Sequence, residues 1–154
     1  MKRSGFRHKI GKPMKRTKLK KVSKMPISKL QREIWQLCRE IANIIYPSDC
    51  FTCPQKGLVG SNRQLGHMWA KASLGAFLKY DLRILRWQCF SCNIHKGGMG
   101  ADFYKRLLDE QGGEFMELLE KDRNKIVNAY DYYLELRDRY KKYLEELKQS
   151  YPQK

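Results

Sequence analysis

The chain is 154 residues long and carries a formal net charge of +16 at pH 7. This length accommodates one compact domain with extensions and excludes two full-sized domains. The charge is unevenly distributed: residues 1–25 hold eleven Lys and Arg with no Asp or Glu, whereas residues 102–154 hold eleven basic and twelve acidic residues. An asymmetry of this kind favours a nucleic-acid partner over a generally basic protein.

Five cysteines divide into two Cys-x-x-Cys pairs and one isolated residue, Cys38. The basic N-terminus is not followed by the apolar run of a signal peptide, and no stretch is long and apolar enough to cross a membrane. We therefore expect a cytoplasmic protein, with the paired thiolates on zinc and Cys38 a buried free thiol. The alternative is a secreted protein with two disulfides.

Residues 1–25 predict a disordered basic tail, because they combine few apolar side chains with dense like charge. We expect this tail to bind DNA phosphates, which would release counterions and make the affinity depend steeply on salt. Its densest basic residues are Lys15, Arg16, Lys18, Lys20 and Lys21. The alternatives are a tail that only improves solubility or, in a eukaryotic host, a nuclear-localisation patch.

A helix is predicted over residues 26–47, between two prolines. Ser28 and Gln31 have the spacing of a capping box, which marks the start of a helix. Apolar residues then recur every three or four positions, which indicates one buried face. These residues are Leu30, Ile34, Leu37, Ile41 and Ile45. We expect this helix to be part of the core and to have no chemical role.

Residues 48–111 are predicted to form the functional core. Two Cys-x-x-Cys pairs can supply the four thiolates of a structural Zn²⁺ site. These cysteines are Cys50, Cys53, Cys89 and Cys92. The long spacer between the pairs leaves room for a β-hairpin, with strands predicted at Gln64–Ala70 and Leu82–Trp87. A short helix over Ala101–Gln111 follows and ends at two glycines.

Residues 112–154 predict a C-terminal extension with one long helix from Glu114 to about Gln149. One set of positions recurs at alternating four- and three-residue steps, as in a heptad repeat, and we name it the tyrosine seam. Its members are Ile126, Tyr130, Tyr133, Arg137, Tyr140, Leu144, Leu147 and Tyr151. The seam predicts a homodimer through this helix. The alternative is that the seam packs on its own module.

Several short motifs in the central region resemble those of the phage NinG/Rap recombination proteins, which are small nucleases acting on branched DNA. The motifs are Gly66-His67, Leu78-Lys79-Tyr80-Asp81, Gln88-Cys89, Cys92-Asn93-x-His95-Lys96-x-Gly98 and Tyr104. A zinc clamp around a hairpin bearing a His, with Asn directly after the last Cys, also resembles the wider HNH (ββα-metal, His-Me finger) nucleases. The resemblance covers roughly residues 48–120 and implies an α+β fold: a zinc-clamped HNH-like core between an N-terminal helix and a long C-terminal helical extension.

The resemblance also implies roles for individual side chains. His67 would be the catalytic base, and a neutral imidazole near pH 7 can accept a proton from water. Asn93 would bind the catalytic Mg²⁺ or Mn²⁺, because its side-chain oxygen suits a hard cation. His95 either ligates the same metal or contacts phosphate. The alternative is that it makes a hydrogen bond that holds the second knuckle, which is the tight turn formed by the second Cys-x-x-Cys pair.

Three further basic residues are predicted to contact DNA phosphates. Lys96 lies within the motif that contains Asn93, and Arg83 and Arg86 would contribute if they face outward on their strand. These contacts would position DNA without reading its sequence.

Two positions depart from the HNH pattern. Gly66 stands where many HNH enzymes have an Asp that gives the metal a carboxylate; Asp81 could replace that ligand, or it could merely cap a turn. Ile84 stands where the middle Asn of the HNH pattern orients the catalytic His. His67 must therefore be oriented by a backbone carbonyl or by another side chain.

These observations predict a divalent-metal-dependent endonuclease that hydrolyses phosphodiester bonds in DNA, with branched recombination structures as substrates. One alternative is a non-catalytic, zinc-dependent DNA-binding or recombination accessory protein. Another is a structural nucleic-acid protein, which would explain the tail and the knuckles but not the motifs around His67 and Asn93.

Overall fold

The computed structural model describes residues 24–151 of the chain. Within them lie four α-helices and one two-stranded antiparallel sheet. The elements are α1 (Ile27–Ile45), β1 (Arg63–His67), β2 (Leu85–Cys89), α2 (Gly100–Gln111), α3 (Gly113–Arg123) and α4 (Ala129–Ser150). This mixed class, with a small sheet and a cysteine cluster, confirms the predicted α+β class.

Two further predictions concern the basic N-terminal tail and the absence of a membrane-spanning segment. The phosphate-binding tail lies almost wholly outside the described residues, and so do its basic residues Lys15, Arg16, Lys18, Lys20 and Lys21. Among the helices of residues 24–151, none has the length and apolar character needed to cross a membrane.

Helix α1 buries three residues of its predicted face, Leu30, Ile34 and Ile41, whereas Leu37 and Ile45 are half-buried. Its N-terminal end also differs from the prediction. The helix begins at Ile27, directly after Pro26, and no side chain caps it. Ser28 lies inside the first turn and is exposed, so the predicted capping box is wrong. The fully buried positions are Leu30, Ile34, Cys38, Ile41 and Ala42. Cys38 is therefore a core residue, as predicted for a free buried thiol.

The predicted hairpin between the two cysteine pairs is confirmed. Strands β1 and β2 pair antiparallel, with Gly66 opposite Arg86. Each strand is shorter than predicted, because β1 ends at His67 and a 3-10 turn over Leu82–Ile84 precedes β2. The side chain of Asp81 accepts the backbone N–H of Arg83 at 2.9 Å and so caps that turn.

The hairpin lies between two hydrophobic clusters. One cluster joins α1 and α4 to the cysteine site and to buried residues of both strands, including Trp87. The other joins the far end of the hairpin to α2 and α3, and its buried members are Met68, Leu74, Leu78, Ile84, Phe103, Leu107, Met116 and Leu119. Every residue of β2 is buried, and this packing holds a sheet of only two strands, which would be marginal alone.

The long C-terminal helix predicted from the sequence is two helices. Helix α3 ends at Arg123, and α4 begins at Ala129 after a five-residue connection. Asn128 caps α4, because its side-chain oxygen accepts the backbone N–H groups of Tyr130 at 3.1 Å and Asp131 at 3.4 Å. An Asn at an N-cap satisfies donors that would otherwise lack partners, which favours a helix start here.

The tyrosine seam packs within its own chain. Tyr133, Tyr140, Leu144 and Leu147 are buried in the cluster that α4 shares with α1. Ile126 lies outside α4 and is 96% exposed, and Leu136 takes the buried place that the heptad assigned to Arg137. Packing of α1 on the seam therefore favours the alternative, that the seam packs on its own module. The homodimer through the C-terminal helix stays a prediction.

Tyr140 offers a direct test of the α1–α4 arrangement. Its hydroxyl donates to the Tyr80 carbonyl at 2.9 Å and accepts the Leu82 N–H at 3.3 Å. Tyr140→Phe should lower the free energy of unfolding by about 1–3 kcal/mol, because both backbone groups lose a partner. Urea unfolding of the zinc-loaded protein measures this. The control Tyr143→Phe alters the same helix at a ring 38% exposed, so its change should stay within about 0.5 kcal/mol. Equal effects would contradict the arrangement.

Candidate metal centre and active site

Four cysteine sulfurs meet at the base of the hairpin. The Sγ atoms of Cys50, Cys53, Cys89 and Cys92 all lie within 4.8 Å of one another. The Cys53 and Cys89 sulfurs are 3.8 Å apart. Tetrahedral zinc with Zn–S bonds of about 2.3 Å places its sulfurs about 3.8 Å apart. The four residues therefore fit one structural zinc ion, and four thiolates would leave it no open coordination position.

Backbone N–H groups at the cluster stabilise the thiolate of Cys50, while burial raises the pKa values of Cys53 and Cys92. The Cys89 N–H donates to Cys50 Sγ at 3.2 Å, and the Cys92 N–H donates to Cys89 Sγ at 3.4 Å. Burial opposes the charged form of Cys50, but the N–H groups of Cys89 and Thr52 outweigh burial and lower its pKa to about 6. Deprotonated sulfur is the form that binds a metal.

A tight turn follows the second cysteine pair and folds the chain back onto the hairpin. Residues Ser91–His95 form one π-helical turn. Gly97, Gly98 and Met99 then all have positive φ angles, of 63°, 84° and 50°. Two glycines in this run avoid the strain that a Cβ would cause. The Gly98 N–H donates to the Cys92 carbonyl at 2.9 Å, which fixes the turn to the cysteine site.

His67 lies at the end of β1 with one ring nitrogen already engaged. Its Nε2 is 3.0 Å from the Lys79 carbonyl oxygen. Because a carbonyl only accepts, Nε2 carries the proton in the neutral ring, and Nδ1 is left as an acceptor. A backbone carbonyl is thus the orienting group, one of the two alternatives that the sequence left open. Ile84 is fully buried in the second cluster.

Trp35 of α1 covers the His67 ring. The two rings stack at a centroid distance of 5.4 Å and an interplanar angle of 4°. Burial lowers the pKa of His67 to about 4; the Lys79 carbonyl opposes this, and the charges of Lys71 and Lys79 add to it. The ring is therefore neutral at pH 7. Sequence reasoning gave α1 no chemical role, and the position of Trp35 beside the apolar stripe was the only signal.

Asn93 is brought against the residue that precedes His67. Its Oδ1 lies 3.1 Å from the position that a Cβ on Gly66 would occupy. Asn93 is half-buried, in the π-helical turn that begins beside Cys92. The structure thus brings the predicted site residue Asn93 against the backbone of β1, one residue before the predicted site residue His67.

Arg83 and Arg86 are both engaged within the fold. Arg83 pairs with Asp81 at 2.7 Å and with Asp122 of α3 at 2.8 Å. Arg86 is 5% exposed and pairs with Glu110 of α2 at 2.9 Å. The outward orientation that the predicted phosphate contact requires is absent for Arg86, whereas phosphate contact by the half-buried Arg83 stays a prediction. Asp81 is likewise held by Arg83, so it caps the turn and is not placed as a metal ligand.

Two predicted residues on the second knuckle are exposed. Lys96 is free of ion pairs among the residues that the structure describes and is open to a phosphate. The exposed His95 ring makes an edge contact with Phe90 at 5.2 Å. Metal ligation or phosphate contact by His95 stays a prediction.

The fold and the site together define a class: a small α+β protein in which a four-cysteine cluster suited to zinc holds a hairpin and the helical turn after it. The chain belongs to the NinG family, because the family model described as bacteriophage lambda NinG protein matches residues 2–150. No curated protein and no solved structure gives a match. The predicted NinG membership is confirmed, and it places the chain in a phage family related to recombination.

Zinc content provides the first test of the site. Cys89→Ser should abolish zinc binding and unfold the hairpin, because metal binding and folding are coupled in a module this small. Elemental analysis and circular dichroism measure both effects. Cys38→Ala is the control, since this buried cysteine lies outside the cluster, and it should keep one zinc per chain. Wild-type protein that is folded but free of zinc would contradict the assignment.

The protonation of His67 provides a second test. In ¹⁵N NMR spectra of the imidazoles, His67 should be the Nε2–H tautomer and stay neutral down to pH 5.5. Trp35→Ala should raise its pKa toward the ordinary 6.5, because the indole shields the ring from water. The unfolded chain binds this proton near pH 6.5 and the folded chain only near pH 4, so His67 makes stability fall as pH drops between those values. A wild-type pKa near 6.5 would refute the shielding.

Proposed function

We propose that this protein is a divalent-metal-dependent DNA endonuclease whose hairpin and following turn form an HNH-type (ββα-metal) core. The observation that carries the proposal is the hydrogen bond from His67 Nε2 to the Lys79 carbonyl at 3.0 Å. It leaves Nδ1 of a neutral ring as a proton acceptor. The Asn93 amide oxygen lies against Gly66, the residue that precedes His67. A general base and an oxygen ligand for a hard cation are the two groups that metal-dependent phosphodiester hydrolysis requires.

A residue of this chain would accept the proton that the attacking water loses. His67 Nδ1 takes a proton from water as the water oxygen attacks phosphorus. The P–O3′ bond breaks in line with the attack, and the departing 3′ oxygen takes a proton from solvent water. A divalent cation, Mg²⁺ or Mn²⁺, bound at Asn93 would supply positive charge to the phosphate and the departing 3′ oxygen. The Lys79 carbonyl stabilises the imidazolium that forms, because its hydrogen bond strengthens when the ring is charged. Trp35 keeps the ring in place between turnovers.

DNA, and branched DNA in particular, is the proposed substrate. The net charge of +16 supports a polyanionic partner, and Lys71 and Lys79 lie close enough to His67 to affect its pKa. Lys96 would extend this basic surface along the second knuckle. The branched structure rests on the recombination-related NinG family. We propose that the protein acts in the cytoplasm of the phage's host.

The alternative function is a non-catalytic DNA-binding or recombination accessory protein. Gly66 favours it, since it supplies no carboxylate to a metal. The same cysteine site and basic surface would then serve binding alone.

Cleavage of a substrate panel separates the two functions. Linear, flapped and four-way DNA should be cut only with Mg²⁺ or Mn²⁺, and His67→Ala should lower the rate by about 10²–10⁴-fold with DNA affinity nearly unchanged. Asn93→Ala should also lose activity and recover partly at higher metal concentration. The control is Asn43→Ala, at an exposed position on α1. Full activity of His67→Ala would place the active site elsewhere, and binding without cleavage by the wild type would leave the accessory role.

A further inference from the structure

Gln88 of β2 is fully buried and has one polar atom without a partner. Its Nε2 donates to Thr52 Oγ1 at 2.9 Å and to the Gly98 carbonyl at 2.8 Å. Its Oε1 is buried and has no hydrogen-bond partner among the described residues. A buried polar atom of this kind requires an explanation, because native proteins satisfy nearly all of them.

The cysteine site fixes which way the Gln88 amide points. A metal-bound Cys50 sulfur has no proton, so the Thr52 hydroxyl, 3.6 Å away, must donate to it. Thr52 Oγ1 then accepts from Gln88, and the Gly98 carbonyl can only accept. Both N–H bonds of the amide are thereby used. Rotating the amide would set its oxygen against the Gly98 carbonyl, so the atom without a partner is the oxygen.

The free oxygen of Gln88 points at Gly66. A Cβ added to Gly66 would collide with Gln88 Oε1 and would lie 3.1 Å from Asn93 Oδ1. Two amide oxygens therefore converge on the space beside the residue that precedes His67. They carry partial charge of the same sign and have no donor between them, which is the arrangement that a hard cation stabilises.

We propose that Gln88 Oε1 is a protein ligand of the divalent cation, beside Asn93 Oδ1. This inference rests on the proposed function and extends it, because it names the oxygen that compensates for the missing carboxylate at position 66. Gly66 is required because any side chain at this position would displace the Gln88 oxygen. Two neutral oxygens bind a cation more weakly than a carboxylate does, so the remaining ligands would be water and DNA phosphate.

The first experiment uses the unaltered, zinc-loaded protein. Titration with Mg²⁺ should shift the side-chain carbonyl ¹³C signals of Gln88 and Asn93 in NMR spectra. The control is Gln64, which pairs with Gln88 across the hairpin and whose amide donates to Ser61. Its signal should stay in place. Shifts at Asn93 without any at Gln88 would overturn the proposal, whatever the protein does to DNA.

The second experiment moves the ligand from β2 to β1. Gln88→Ser should weaken Mn²⁺ binding, measured by electron paramagnetic resonance, at least about tenfold, the lower range for altered metal sites. The double variant Gly66→Asp with Gln88→Ser places a carboxylate in the vacated space and should restore the affinity. The control Gln64→Ser should bind Mn²⁺ as the wild type does. Zinc content confirms that each variant is folded.

The outcomes separate this inference from the nuclease function. Wild-type affinity in Gln88→Ser, or no recovery in the folded double variant, would overturn the ligand role even if the protein cuts DNA. The expected Mn²⁺ results without cleavage of any substrate would support the ligand role and refute the nuclease.

Discussion

The convergence of two cysteine pairs at the base of one hairpin is the constraint on which the rest of the site depends. The first pair lies before β1 and the second begins at the last residue of β2, so a metal at their sulfurs closes the loop that contains the hairpin. The same closure places Asn93 beside Gly66, because Asn93 follows Cys92 directly. Through Thr52, the closure also sets the direction of the Gln88 amide. A site that is structural in itself therefore determines the geometry of the neighbouring one.

The site also depends on a side chain from outside the cysteine module that covers the His67 ring. Trp35 belongs to α1, and α1 is held in place by its packing on α4. Removing water from the imidazole keeps it neutral, and the Lys79 carbonyl fixes the tautomer. The helices at the two ends of the chain thus affect the proposed base through burial, although neither supplies a reacting group.

The arginines of the hairpin show that a high net charge does not by itself identify a binding surface. Arg86 is buried and joins β2 to Glu110 of α2, while Arg83 joins the preceding turn to Asp122 of α3. Each cation is matched by a carboxylate, which compensates for the loss of water. The positive charge that remains for a polyanion lies on exposed side chains such as Lys71 and Lys96.

The sequence by itself determined the features that depend on local spacing: the cysteine pairs, the hairpin between them and the buried face of α1. It also left the right alternatives open for His67, because Ile84 could not orient it. Tertiary structure alone decided which carbonyl holds that ring, what covers the tyrosine seam and where Arg86 points. Each of these is a contact between segments distant in the chain. Periodicity shows that a face is apolar but not which partner buries it, so neither α1 as the partner of the seam nor the free oxygen of Gln88 could be predicted from sequence.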